Sequence, residues 1–301
     1  MSKVEIIGLK MPLIEKRCDL VDEILKAVTK SNIEILDHDI VVITDKLISK
    51  CLGRVVNIND VKASEKAFKI ARKTRLNPKF VEIVIKNSDE IVSVIPIKRL
   101  IEKGLIELKS LTRDPEASER ILNEYLPVIL ITRRENMLWS NSGVDTSNLP
   151  PGYYSIPIED HDLIAKIIRE SIYKTLGRRV AVVICDTEIF LKGSLDFARG
   201  SYGIDPIDRC FACKDLYEKP KFGGVDMIVH EVCSAAALVL KQAAEGTPVA
   251  IVRGVEYREC ECGYKDSTPK VNTSGVIKEI FRENIRVLGL RGLLKILRMI
   301  I

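Results

Sequence analysis

Apolar positions along this chain follow two alternating rhythms. Short apolar runs that suit strands are Val4 to Ile7, Ile40 to Thr44, Glu90 to Ile95, Val128 to Thr132, Val180 to Cys185 and Val249 to Val252. Between them, longer amphipathic stretches predict helices over Leu20 to Thr29, Ser64 to Arg75, Pro78 to Lys86, Asp160 to Thr175, Ile228 to Lys241 and Val276 to Glu283. Ser64, three residues ahead of Ala67, and the Asp160-His161-Asp162 cluster ahead of Leu163 supply side chains that start helices. The alternation predicts a mixed α/β fold. The turn Leu149-Pro150-Pro151-Gly152 marks a candidate sub-boundary near 149–158. There is no internal repeat and no low-complexity tract.

Composition narrows the class. With 301 residues, 46% of them hydrophobic, the chain can bury a substantial core in one large domain or two moderate ones. Its apolar runs are far shorter than the roughly 20 residues of a spanning helix. The start, Met1 to Ile7, runs straight into a strand pattern without the basic and apolar regions of a secretion signal, so a cytoplasmic protein is expected. The 47 basic and 42 acidic residues are interspersed, which argues for a solvated surface and against nucleic-acid binding despite a net charge of +5. Abundant Lys, Glu and Ile suit a thermophile. In the cytosol the eight cysteines are expected to be reduced, with Cys18, Cys51, Cys185 and Cys233 as small buried hydrophobes.

The candidate chemistry begins at Ser140 to Asn148, SNSGVDTSN. A turn so rich in Ser, Asn and Gly exposes backbone N–H groups and side-chain oxygens together, and carries one carboxylate, Asp145. It reads either as a site for phosphate and a hard cation or as an ordinary polar loop with an Asx-turn. The run Arg179 to Asp186 has the character of a buried strand and ends in Asp186-Thr187, where ligands gather in α/β sheets. The alternative is that Asp186 caps the following segment. Taken together, Asp145, Asp186 and Thr187 offer hard oxygen ligands of the kind Mg²⁺ prefers, with water and phosphate completing the shell.

SNSGVDTSN, the strand ending in Asp186-Thr187, DIVVITDKLISK at 39–50 and QAAEGTPVAIVRG at 242–254 together resemble the coenzyme F420-0:γ-glutamyl ligase family, in an ordered match from about Val4 to Gly254. The resemblance implies a two-lobed mixed α+β fold with mixed sheets flanked by helices, and a homodimer. The implied reaction joins L-glutamate to the carboxylate of the deazaflavin precursor F420-0 through an acyl phosphate made with GTP; the alternatives are an amide ligase of the same scaffold with a different carboxylate acceptor, or a non-catalytic relative that binds nucleotide and metal. Mg²⁺ or Mn²⁺ is the implied cation, with K⁺ as a further candidate ion. Carried over by position, Asp145, Asp186, Thr187 and Gln242 would bind metal. Lys46 and Lys50 would meet the nucleotide phosphates from one face of a helical turn. Met11, Pro12, Leu13, Ile14, Asp45, Asn148, Glu245 and Gly246 would complete the nucleotide site. Asp145, Asp186, Lys46 and Lys50 would be the catalytic set.

Three departures stand out. The family's Gly-Arg after Asp-Thr is replaced by Glu188-Ile189-Phe190-Leu191-Lys192-Gly193, Asp45 takes a small-polar position, and His230-Glu231-Val232 changes a helix start. The first bears on the acceptor, since the replaced element is basic. Ile189, Phe190 and Leu191 either line a pocket for a less charged acceptor or pack in the core, and packing is expected for bulky apolar residues.

Cys210, Cys213, Cys260 and Cys262 form a CxxC and a CxC that could supply four thiolates to a structural Zn²⁺, with disulfides or free thiols as alternatives. His38, His161 and His230 are expected to be structural. Residues 255–301 form a C-terminal extension outside the resemblance. Its last stretch, with Arg286, Arg291, Lys295 and Arg298 among leucines and isoleucines, reads as a basic amphipathic helix. That helix is expected to pack on protein, with an anionic membrane surface as the alternative.

Overall fold

The computed structural model describes residues 3–135, 137–190, 193–267 and 272–289. The strands are β1 (Glu5–Leu9), β2 (Ile40–Thr44), β3 (Val55–Asn57), β4 (Glu90–Ile95), β5 (Ile129–Arg134), β6 (Met137–Ser140), β7 (Tyr153–Ser155), β8 (Ala181–Phe190), β9 (Gly193–Tyr202), β10 (Asp208–Arg209), β11 (Val225–Asp226) and β12 (Val249–Arg253). The helices are α1 (Leu20–Lys30), α2 (Asp45–Cys51), α3 (Glu65–Thr74), α4 (Pro78–Lys86), α5 (Ile97–Glu102), α6 (Pro115–Glu124), α7 (His161–Leu176), α8 (Ile228–Leu240), α9 (Tyr264–Ser267) and α10 (Thr273–Leu288). The fold is mixed α/β, as the alternating rhythm predicts. The chain divides into two compact units, Met1–Asp266 and Ser267–Ile301. Residues 255–266 and the segment 149–158 therefore both lie within the first unit, and α10 belongs to the second. Arg291, Lys295 and Arg298 lie outside the described residues. Among the described residues no helix is long and apolar enough to cross a membrane.

A five-stranded sheet in the order β1-β12-β2-β8-β9 organises the first unit. Among the described residues only β2 and β8 pair in parallel. Their runs are apolar on both faces because both faces are covered. Val41, Ile43, Val182 and Ile184 pack with α1 and α7, whereas Ile40, Val42, Ala181 and Val183 pack with α8. A second layer pair sets α3 and α4 against Val128 and Leu130 at the start of the three-stranded sheet β4-β5-β6.

Helix ends follow the sequence signals. Ser64 accepts from Ala67 N–H and Asp160 from Leu163 N–H, so both act as N-caps just outside their helices. The periodicity missed β6 and β9. Met137 to Ser140 forms a strand that pairs with β5, and β8 runs on past Cys185 to Phe190 because β9 pairs along its whole length.

All eight cysteines are in disulfides, which corrects the expectation of reduced thiols. Cys18 pairs with Cys51 and Cys185 with Cys233, joining segments 33 and 48 residues apart whose proximity a linear pattern does not reveal. Cys210 pairs with Cys213 and Cys260 with Cys262. Each of these pairs closes on its own neighbour, so the four do not form a thiolate set for Zn²⁺.

Each histidine has partners within the fold. His161 is buried against Asp45, and His38 contacts Glu259. His230, on α8, accepts from Ala198 N–H at Nδ1 (3.0 Å) and meets the Tyr264 hydroxyl through Nε2 (3.2 Å). Burial, and then the charge of Arg199, lowers its pKa from 6.5 to about 4. As pH falls below 6.5 the unfolded chain takes up a proton that the folded His230 refuses, so this contribution to stability is lost between about 6.5 and 4. The unfolding midpoint is expected to drop across that window, and to drop less in a His230→Gln variant, as followed by thermal unfolding at a series of pH values.

Candidate active-site cleft

Sheet register brings four chain segments to one edge. The parallel partners Thr44 and Cys185 stand side by side, so the residues that follow them, Asp45 to Lys50 and Asp186-Thr187, emerge at the same end. Val249 opposes both Ile43 and Leu9, which places the segment before β12 and the segment after β1 at that end too. Backbone bonds fasten them: Met11 N–H donates to Gly246 O (2.9 Å) and Thr44 N–H to Pro248 O (3.0 Å). This is the carboxyl edge of the parallel pair, where α/β sheets hold ligands.

The loop Ser140 to Asn148 closes the site from the three-stranded sheet. Its first half is structural. Asn141 and Ser142 are buried, Asn141 Oδ1 accepts from Leu130 N–H (2.9 Å), and Ser142 Oγ donates to Asn87 O. Asn141, Ser142 and Gly143 all adopt positive φ, and a Cβ on Gly143 would come within 2.9 Å of the Trp139 ring. The second half faces the cleft and forms the Asx-turn, with Asp145 Oδ1 accepting from Ser147 N–H (2.8 Å). The Asx-turn of the polar-loop reading is thus present, and it lies in the half that faces the cleft.

A cleft of 1140 Å³ is lined by Met11, Pro12, Leu13, Ile14, Lys46, Lys50, Asp145, Asn148, Asp186, Thr187, Gln242, Glu245 and Gly246. Lys46 donates to Asp145 Oδ2 and to Ser147 Oγ. Lys50 donates to Asn148 O (2.9 Å), and the Asn148 amide in turn donates to Ala243 O (3.3 Å). The two lysines stand one turn apart on α2, as their spacing predicts. Asp45 is the exception among the expected contacts. The residue is 4% exposed, its carboxylate meets His161 Nε2 (3.0 Å), and it is not among the residues that line the cleft.

Charge separates the two carboxylates. Burial raises the Asp145 carboxyl, but the Lys46 ammonium and hydrogen bonds from Lys46 and Ser147 more than reverse this and hold it below its ordinary range. Burial pushes Asp186 up to about 7 against the pull of Arg199, with the charges of Asp45 and Glu188 adding to the rise. Lys50 is lowered by burial and by the neighbouring Lys46 charge.

Residues 188–199 hold what the sequence pattern missed. Glu188 is not among the residues that line the cleft. Its carboxylate takes Arg199 on one oxygen and Ser140 N–H (2.9 Å) and Oγ (2.7 Å) on the other, tying β8 to the start of the 140–148 loop. Arg199 is 3% exposed and lies over the Trp139 ring at 3.7 Å. Ile189, expected in the core, is instead 45% exposed and lines the cleft, because it alternates away from Glu188 along the extended β8. The Phe190 side chain, Leu191 and Lys192 lie outside the described residues. Asp196, on β9 opposite Thr187, also lines the cleft at 5% exposure. The Lys192-Gly193 pair after an apolar run was the available hairpin signal for β9.

Among the described residues no group of three or more His, Cys, Asp and Glu side chains is placed to hold a metal. The donor set that does share this cleft is Asp145, Asp186, Thr187 and Gln242, two carboxylates with a hydroxyl and an amide. Such a set fits Mg²⁺ or Mn²⁺ with phosphate and water completing the shell, and not a soft-ligand metal.

The sequence model of the F420-0:Gamma-glutamyl ligase family matches residues 8–254. The chain belongs to that family. It is 31% identical to the coenzyme F420:L-glutamate ligase of Methanocaldococcus jannaschii over 84% of this chain and 88% of that protein. With the protein of the same name from Methanothermobacter thermautotrophicus it shares 29% over 83% and 89%. With that of Methanococcus maripaludis it shares 26% over 93% and 95%.

Proposed function

We propose that this chain is a cytoplasmic coenzyme F420:L-glutamate ligase that uses GTP and a divalent cation to form a γ-glutamyl amide on F420-0. The observation that carries this reading is the convergence of Asp145, Asp186, Thr187, Gln242, Lys46 and Lys50 on one cleft in a chain of this family. A carboxylate resists amines, so phosphorylation by GTP first supplies a leaving group; attack by the glutamate amine then releases phosphate. Phosphoryl transfer asks for positioning and charge neutralisation more than for covalent help from the protein. Lys46 and Lys50 supply fixed positive charge beside Asp145 and Asn148. Asp145, Asp186, Thr187 and Gln242 would hold Mg²⁺ or Mn²⁺, which when bound neutralises charge developing on phosphate oxygens. K⁺ and a homodimer remain part of the proposal by family resemblance.

Ile189 on the cleft wall favours a second reading: the same chemistry on a less charged carboxylate acceptor. Incubation with GTP, Mg²⁺ or Mn²⁺, glutamate and F420-0 is expected to yield mass increments of one or more glutamyl units. Product with another carboxylate but not with F420-0 would select the second reading. Tight GTP binding with no product from any acceptor would overturn both.

A further inference from the structure

Asp196 is a buried carboxylate with no basic partner among the ion pairs of the described residues. Two hydrogen bonds reach its Oδ1, from Thr187 Oγ (2.6 Å) and from Gln242 Nε2 (3.3 Å). Gln242 Nε2 also donates to Thr187 Oγ (3.1 Å), which closes a three-residue ring. Burying a carboxylate for one hydroxyl and one amide is costly, and here the cost is met where Thr187 and Gln242 both line the cleft.

A carboxylate oxygen only accepts, so it settles which way its partners turn. The Thr187 hydrogen is committed to Asp196, leaving a lone pair as what the hydroxyl can offer the cleft. Gln242 turns its NH₂ toward Asp196 and Thr187, so its carbonyl oxygen is the end left for a ligand. Without Asp196 both side chains could rotate to present hydrogens, which repel a cation.

We infer that Asp196 is a positioning residue that holds Thr187 and Gln242 with their oxygens presented to a divalent cation bound in the cleft. This rests on the metal reading above and goes beyond it, since Asp196 acts through the two residues and not as a ligand. Partners of metal ligands that fix their orientation typically contribute a tenfold to hundredfold gain in affinity.

The test is Mn²⁺ titrated into the full chain with a non-hydrolysable GTP analogue, free Mn²⁺ being read by electron paramagnetic resonance. Asp196→Ala is expected to weaken Mn²⁺ binding about tenfold to hundredfold. Asp196→Asn, whose Oδ1 still accepts from both partners, is expected to lose less and gives a second variant should the first fold poorly. Thr187→Val, placed on top of Asp196→Ala, is expected to cost less than Thr187→Val alone, because both act on one interaction. Unchanged affinity in Asp196→Ala, or full additivity in the double variant, would overturn the inference alone. Absence of Mn²⁺ binding by the unmodified chain would overturn the metal reading together with it.

Discussion

Asp186→Asn and Asp145→Asn are expected to abolish ligase turnover alike while moving stability in opposite directions. Each removes one of the two carboxylates of the proposed cation site, and with it charge that positions the transferring phosphoryl group; a loss on the order of 10³ in rate is expected. Stability depends on what the fold does to each acid. The folded state holds Asp186 at about 7, well above 3.8, so the native chain binds the extra proton and stability falls as pH rises from about 4 to about 7. Asparagine never ionises and escapes that cost, so Asp186→Asn should be at least as stable as the parent at pH above about 7. Asp145 is the reverse case. Lys46 and Ser147 overcome the effect of burial and hold it below 3.8, a contribution present above the unfolded pKa and lost as pH falls through the folded one. Asp145→Asn should therefore unfold more easily at neutral pH. Paired turnover assays and thermal unfolding at pH 8 check both statements. Undiminished turnover in either variant would remove the metal assignment, and equal destabilisation of both would remove the electrostatic argument. A site acid that costs the fold something is the usual price of function.

Most of what brings Lys46, Lys50 and Asp186 to one edge was legible in the sequence. The apolar runs at 40–44 and 180–185 identified the two buried strands, and Lys46, Lys50 and Asp186-Thr187 follow them directly. Parallel pairing of those strands then brings the segments together without further information. The strand β9 was not legible, because Gly193 to Tyr202 is rich in Gly, Ser and charge and lacks the β-branched rhythm; its partner β8, not its own propensity, makes it a strand. Asp196 and Arg199 were hidden with it. Glu188 and Ile189 were visible but not their directions, since which side chain faces the cleft depends on where β8 ends. Asp45 stands beside Lys46, which lines the cleft, yet His161, 116 residues away, determines where its carboxylate points. The pairings of Cys18 with Cys51 and Cys185 with Cys233 were misread for the same reason: burial is local in sequence, and these pairings are not.

Arg199→Met is expected to be the most destabilising single change near the cleft. The guanidinium is 3% exposed, bonds Glu188 and donates to Leu138 O (3.3 Å), and its plane lies over Trp139, itself 1% exposed. Removing one partner of a buried ion pair leaves the other charge without compensation and costs about 3–5 kcal/mol. For a chain of this size that is a fall in unfolding midpoint on the order of 10 °C. Ser140 still donates twice to Glu188, which softens the loss without cancelling it. The excess charge is what makes the single variant costly, so adding Glu188→Gln to Arg199→Met should restore a large part of the stability, measured as non-additivity in a double-mutant cycle. It should not restore turnover fully. Glu188 is the tie between β8, which carries Asp186, and Ser140, which begins the loop carrying Asp145, so weakening that tie loosens the spacing of the two carboxylates on which the chemistry depends. If the double variant were as unstable as the single one, the loss would lie in the Arg199 packing on Trp139 and not in the stranded charge.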